Sequence, residues 1–354
     1  MDMKRSYYED LRLFDTLPKN LWIAIVVVAL TTAPFVSDNY VLYILGYVAI
    51  NVIVALGLNV LVGYTGQISL GHAGFFAIGA YATVLLSNAG SPLLLAMLLG
   101  GLIAAGFGFL LGLPALRLEG PYLAVVTLGF GLTVETVFAK VSAFGGATGP
   151  AVPAFTIRFL PQFSSEQNLY VLILLTTGLS LLAVRNLIRT RVGRAFIAIR
   201  DSDIAATCAG VDLTYFKTLA FAVSAFFTGI AGGLFAFHLG QVDPTTFNLL
   251  LSILFLAMVV IGGVGSILGS ILGAVAISLL NLKLKGLKMA DFEQIPLVGQ
   301  QIAAFLDRHF METGMANIQF IVYGVILVLI MLFEPLGLYG LWIRMKRYWR
   351  TWPL

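Results

Sequence analysis

Apolar runs dominate this chain, and its polar positions gather into a few breaks between them. A helix crossing a bilayer needs about 20 mostly apolar residues. Runs near that length lie at 21–37, 40–62, 68–87, 93–113, 121–139, 169–188, 214–238, 249–263, 265–282 and 317–334. The pattern predicts an all-α, polytopic integral membrane protein of about ten transmembrane or broken helices. The run at 249–263 is short for a full crossing. Residues 1–20 read as a cytoplasmic tail, 21–334 as one transmembrane domain, and 335–354 as a basic cytoplasmic tail. Polar residues at 283–316 interrupt the domain, and that stretch is expected on the extracytoplasmic side.

Two of the runs are broken by glycine. GYTGQISLGHAG occupies 63–74 and IGGVGSILG occupies 261–269, one in each half of the chain. Such a pairing predicts internal repeats with a pathway at their interface. Tight turns between helices would give the same pattern, so both readings stay open. Small residues also recur every four positions, at Gly100, Ala104, Gly108 and Gly112, at Ala225, Gly229 and Gly233, and at Gly265, Gly269 and Gly273. Stripes of this kind let helix backbones approach closely in lipid.

The third break, 185–217, is polar and basic and holds six of the 21 Lys and Arg residues. Within it is a short helix signal. Asp201 and Ser202 are suited to cap its start, Ile204, Ala205 and Ala206 form its body, and Gly210 suits the left-handed position that stops it. A helix of about two turns has little stability of its own. It needs support from its own membrane domain or from a partner.

Composition agrees with the hydropathy pattern. Hydrophobic residues make up 59% and charged residues 11%, against roughly 45–50% and 25% in soluble domains. Mean hydropathy is +0.96. The isoelectric point near 9.1 reflects basic loops. No cluster mixes exposed aromatics with Lys and Arg, so nucleic acid is not an expected partner. Ten crossings with the amino terminus inside place fifteen of the 21 Lys and Arg on the cytoplasmic side, which favours cytoplasmic termini. Lys283, Lys285 and Lys288 fall outside in this scheme and weigh against it.

Chemistry is sparse. The chain has no Gly-Lys dipeptide and hence no phosphate loop. His72, His238 and His309 lack metal-ligand spacing, and Cys208 is the single cysteine. No cofactor, metal or enzymatic activity is expected. Glu135 is the ionisable residue of note inside an apolar run. It either faces the translocation path or pairs with Lys140. His72 suits a hydrogen-bonded packing role better than a gate. Asn51, Asn59 and Gln67 suit bridges between helices, and Gln67 and Ser69 also suit a path lining.

Several motifs, weak singly, occur in order: GYTGQISLGHAGFFAIGAY at 63–81, GPYLAVVTLG at 120–129, GGATGP at 145–150, Arg200-Asp201-Ser202-Asp203-Ile204-Ala205-Ala206 with Gly210, GGVGS at 262–266 and MLFEPLG at 331–337. Together they resemble the branched-chain amino-acid ABC transporter permease family, LivM-type, over about 40–340. The resemblance implies a bacterial inner-membrane subunit of an ATP-driven importer of branched-chain or other hydrophobic neutral amino acids. It implies a second related permease, two ATPase subunits and an extracytoplasmic binding protein as partners. It also implies that the 200–210 motif is a coupling helix docking on an ATPase. A urea permease of the same family is the alternative. An ion-coupled secondary transporter is less favoured, because it predicts several intramembrane carboxylates and only Glu135 offers itself.

Overall fold

The computed structural model describes residues 17–115, 118, 120–155, 157, 163–286, 324–325, 328–329, 332–334 and 336–351. Most of the 283–316 insertion, of the 317–334 run and of the amino-terminal tail lies outside the described residues. The helices are α1 Leu17–Val36, α2 Asn39–Thr65, α3 His72–Asn88, α4 Leu93–Ala115, α5 Pro121–Lys140 and α6 Ser165–Arg189. They continue with α7 Arg191–Asp201, α8 Asp203–Cys208, α9 Leu213–Leu239, α10 Leu249–Gly262, α11 Ile267–Gly286 and α12 Gly337–Thr351. Among the described residues there is no strand, only an isolated bridge between Ala151 and Gln241.

Five helices, α2, α4, α5, α6 and α9, are long and apolar enough to cross a membrane. Local chemistry sets several boundaries. The α6 helix starts at Ser165, four residues before the apolar run, because Ser164 and Gln167 form a reciprocal capping box. The α3 helix starts at His72, after an irregular connection that opens at Gly66 in the left-handed conformation. The apolar stretch 249–282 is two helices. A turn at 263–266 folds α11 back on α10, so this glycine break connects packed helices, while the break at 66–71 joins α2 to α3.

The centre of the bundle is α2, buried at every position from Ile50 to Thr65. A helix apolar on all sides belongs in the interior. Helix α9 lies against α2, α3 and α4, while α6, α10 and α11 cover the rest of α2. Small residues set the spacing. Gly108 faces Ala225 and the Phe221 carbonyl, Gly112 faces Thr218, and Gly229 faces Ala104. The stripes are thus used for packing within the chain. Polar bridges join the apolar helices: Asn51 donates to Ser278, and Asn281 donates to Tyr47.

The connections sort to two ends of the bundle. At one end Arg200 reaches Gly63, Asn59 reaches the 263–266 turn, and Gly337 abuts Ile261. At the other, Asn88 donates to the Ala151 carbonyl, Ala151 pairs with Gln241, and Gly149 abuts Val242.

Candidate functional site

The polar segment 185–217 folds as a relay of helices. Thr190 ends α6 and caps α7 through the Gly193 amide. Phe196, Ala195 and Ile199 bury one side of α7, whose polar residues fall opposite. The chain then turns at Ser202, whose extended backbone separates α7 from α8 and whose hydroxyl accepts from the Ala205 amide at 3.2 Å. Ser202 is the cap; Asp201 is the last residue of α7. Gly210, at φ +82°, lets the Val211 amide return to the Ala206 carbonyl and close α8. Only glycine adopts that conformation without a Cβ penalty. Asp212 caps α9 through the Tyr215 amide.

Two contacts fasten the six-residue α8. Its first residue, Asp203, pairs with Lys217, a buried lysine on α9. Ala206 is buried against the chain. The opposite side is open: Ile204 is 79% exposed, and Ala205, Thr207 and Cys208 are exposed with it. Ala206 therefore faces inward, unlike its neighbour Ala205. An exposed isoleucine on a short capped helix fixed to a bundle is a ready contact for another protein.

Arg200, at the end of α7, is exposed, but its guanidinium reaches back to the end of α2. Its Nη1 donates to the Gly63 carbonyl at 2.8 Å, one of the last carbonyls of α2. Asn59 completes the junction. Its Nδ2 donates to the Ser266 carbonyl at 3.1 Å, and its Oδ1 accepts from the Gly265 amide at 2.9 Å. The two glycine breaks, some 200 residues apart in sequence, thus meet beside Arg200.

The break at 66–71 is held by hydroxyls from three other helices. His72 is fully buried, and its ring bridges Ser69 at 3.0 Å and Ser224 of α9 at 2.8 Å. The Ala73 amide donates to Ser252 of α10, and the Leu70 amide donates to Thr127 of α5. Both ring nitrogens of His72 are hydrogen-bonded within the bundle, and Ser69 is enclosed with it. Gln67 is also buried, but its amide donates to Thr65, the last residue of the adjoining α2, rather than across to a distant helix. Its Oε1 has no hydrogen-bond partner. Asn51 bridges α2 and α11, as expected, and Asn59 ties α2 to the turn between α10 and α11.

Glu135 sits half-buried on α5. It makes no ion pair with Lys140; five residues along a helix place the two on different sides. The α5 helix buries Leu123, Thr127, Gly131, Val134 and Phe138 and exposes Gly129, Thr133 and Thr136. Between its buried side and the start of α3 is a shallow crevice without room for a water molecule, lined by Leu70, Ala73, Leu132, Phe247 and Ser252 among others. Glu135 does not line it. Among the described residues no group of three or more His, Cys, Asp or Glu side chains is arranged to hold a metal.

Sequence reasoning missed Lys217, Thr127, Ser224 and Ser252. The signal for Lys217 was present, as a lone lysine inside an apolar run; the hydroxyls carry none.

The bundle of long apolar helices is that of a polytopic membrane protein. The chain belongs to the family described as branched-chain amino acid transport system / permease component, which it matches over residues 40–333. It is 37% identical over 285 residues to the high-affinity branched-chain amino acid transport system permease protein LivM of Salmonella typhimurium, covering 73% of this chain and 67% of that protein. The LivM protein of Escherichia coli gives the same identity and coverage. The ribose import permease protein RbsC of Bacillus subtilis is 25% identical over 298 residues, covering 81% of this chain and 90% of that protein. No solved structure gives a significant match.

Proposed function

We propose that the chain is one membrane subunit of an ABC importer for branched-chain or other hydrophobic neutral amino acids. ATP hydrolysis takes place in two separate ATPase subunits. A second, related permease completes the pathway, and an extracytoplasmic binding protein delivers the substrate. In this reading α8 is the coupling helix and lies on the cytoplasmic side with both termini. Ile204, Ala205 and their exposed neighbours enter a groove on the ATPase.

The observation that carries the reading is the form of α8: six residues capped at both ends, fastened by Asp203–Lys217 and Ala206, and presenting Ile204 almost bare. So short a helix is ordered by its anchors, not by its own propensity. The 37% identity to the LivM proteins supports the substrate class.

The test is to copurify the permease pair with its ATPases, reconstitute the complex with its binding protein, and follow uptake of labelled leucine and ribose. Ala205→Glu places a buried charge in the docking groove. It is expected to abolish ATPase copurification while the permease pair still assembles. Full recovery of the ATPase and undiminished transport in this variant would refute the coupling assignment. ATP-driven uptake of ribose and not leucine would move the substrate to the sugar class.

A further inference from the structure

We infer that Arg200 is the positioning residue that carries movement of α8 to the two glycine-broken connections of the membrane domain. The inference rests on the reading of α8 as a coupling helix. It differs from a docking role, because the guanidinium of Arg200, a residue exposed overall, donates to the Gly63 carbonyl of its own chain.

The geometry is specific. Only Ser202 separates α7, which ends one residue after Arg200, from α8. Displacement of α8 must therefore move the end of α7. Arg200 Nη1 donates to the Gly63 carbonyl. The turn amides that follow leave that carbonyl alone, since Gly66 and Gln67 both return to Leu61. Arg200 thus satisfies an acceptor that the helix end leaves over. The same guanidinium fills the space beside Gly265, where a methyl group would overlap it. The stem of Arg200 lies over Gly66, where an added methyl group would meet it at ordinary contact distance. Asn59 then ties Gly265 and Ser266 to α2. One side chain touches both breaks, and each break opens directly into a helix, α3 or α11, of the membrane domain.

A second route runs in parallel. Asp203 of α8 pairs with Lys217 at the start of α9, and Ser224, further along α9, holds His72 at the start of α3. This route fixes α8 on its bundle. Arg200 is the contact that reaches both glycine breaks at once.

Two glycines provide an internal control. Gly66 and Gly265 both have positive φ, +72° and +76°, so alanine strains the backbone similarly at each. Alanine at 265 also evicts the Arg200 guanidinium, whereas at 66 it makes ordinary contact with the Arg200 stem. A methyl at 265 would also lie 3.1 Å from the Gly63 carbonyl oxygen, so an excess effect of Gly265→Ala reports disruption of the Arg200–Gly63 contact as a unit.

The experiment uses the full complex of permease pair and ATPases, with and without a non-hydrolysable ATP analogue. Hydrogen exchange is measured over 63–72 and 262–267, together with ATPase copurification and leucine taken up per ATP hydrolysed. In the unaltered complex the nucleotide is expected to change exchange in both segments. Arg200→Ala should retain the ATPase, lose that response and lower the uptake-to-hydrolysis ratio about tenfold, within the usual range of coupling between sites. Gly265→Ala should behave alike, Gly66→Ala should not, and Arg200→Lys, which keeps a donor for the Gly63 carbonyl, should restore part of the response. The proposal falls if Arg200→Ala loses the ATPase, if the exchange response survives it or is missing from the unaltered complex, or if the two glycine variants cannot be told apart. An unaltered complex that shows the exchange response without leucine uptake would refute the substrate reading alone.

Discussion

Lys217 is buried, yet its partner Asp203 keeps about a third of its side chain in solvent. That asymmetry sets the size of the interaction. A fully buried pair that loses one partner costs about 3–5 kcal/mol, whereas an exposed pair is worth about 0–1 kcal/mol. With Asp203 still hydrated, the expected coupling in a double-mutant cycle of Lys217→Met and Asp203→Asn is about 1 kcal/mol. The effect should be local. Lys217→Met is expected to raise hydrogen exchange over 203–208 sharply while the melting temperature of the bundle changes little. Unchanged exchange there would show that Ala206 and the caps hold α8 without the ion pair. The residues of this region were unequally legible in the sequence. Ser202 and Gly210 declare themselves, because a cap and a left-handed stop act within a few residues. The Asp203–Lys217 pair spans 14 residues and a change of helix, and Arg200 finds Gly63 across 137. No local rule brings such partners together.

Helices were legible for the same reason that caps are: hydropathy is a property of the run itself. Nine of the ten apolar runs correspond to helices among the described residues. The exact starts were not, since the capping box at Ser164 and the connection at 66–71 outweigh hydropathy at their ends. The small-residue stripes were legible as close approach but not in their pairing, which depends on how α4 and α9 are rotated. Neighbouring glycines of α4 test that rotation. Gly108 looks at Ala225 and the Phe221 carbonyl, where a methyl group would lie 2.8 Å from the carbonyl oxygen, while a methyl at Gly106 would meet nothing within 4 Å. Gly108→Ala overpacks the contact and should destabilise by about 1–3 kcal/mol. Gly106→Ala should be neutral or stabilise by up to about 1 kcal/mol through lower chain entropy. Melting in detergent micelles should therefore shift in opposite directions, or fall for Gly108→Ala alone. Equal losses at both positions would place the α4–α9 contact elsewhere.

At the scale of the whole molecule, alternation of the crossings predicts which connections share a side of the membrane, and side-chain contacts check the prediction without reference to charge. Connections numbered to one side, at 63–71, 190–212 and 263–266, are the ones Arg200 and Asn59 bring together. Connections numbered to the other, near 88, 151 and 241, meet through Asn88, Ala151 and Gln241. Contacts of this kind fix the sorting into two ends but carry no sign. The sign comes from Lys and Arg, because the positive-inside bias acts on short flanking loops, and the 185–217 segment holds six of them. The first end is therefore expected in the cytoplasm. A single native cysteine makes the check direct: Cys208 is exposed at the first end, and Ala89 is exposed at the second. In the permease pair without ATPases, an impermeant maleimide should label Cys208 only in inside-out vesicles. In a Cys208→Ser background, Ala89→Cys should be labelled in intact cells. Labelling of both from one side would break the two-ended arrangement and put α8 on the side of the membrane that 88–92 faces. Labelling from opposite sides in the reverse sense would keep the fold, place α8 away from cytoplasmic ATP, and remove the basis for calling it a coupling helix.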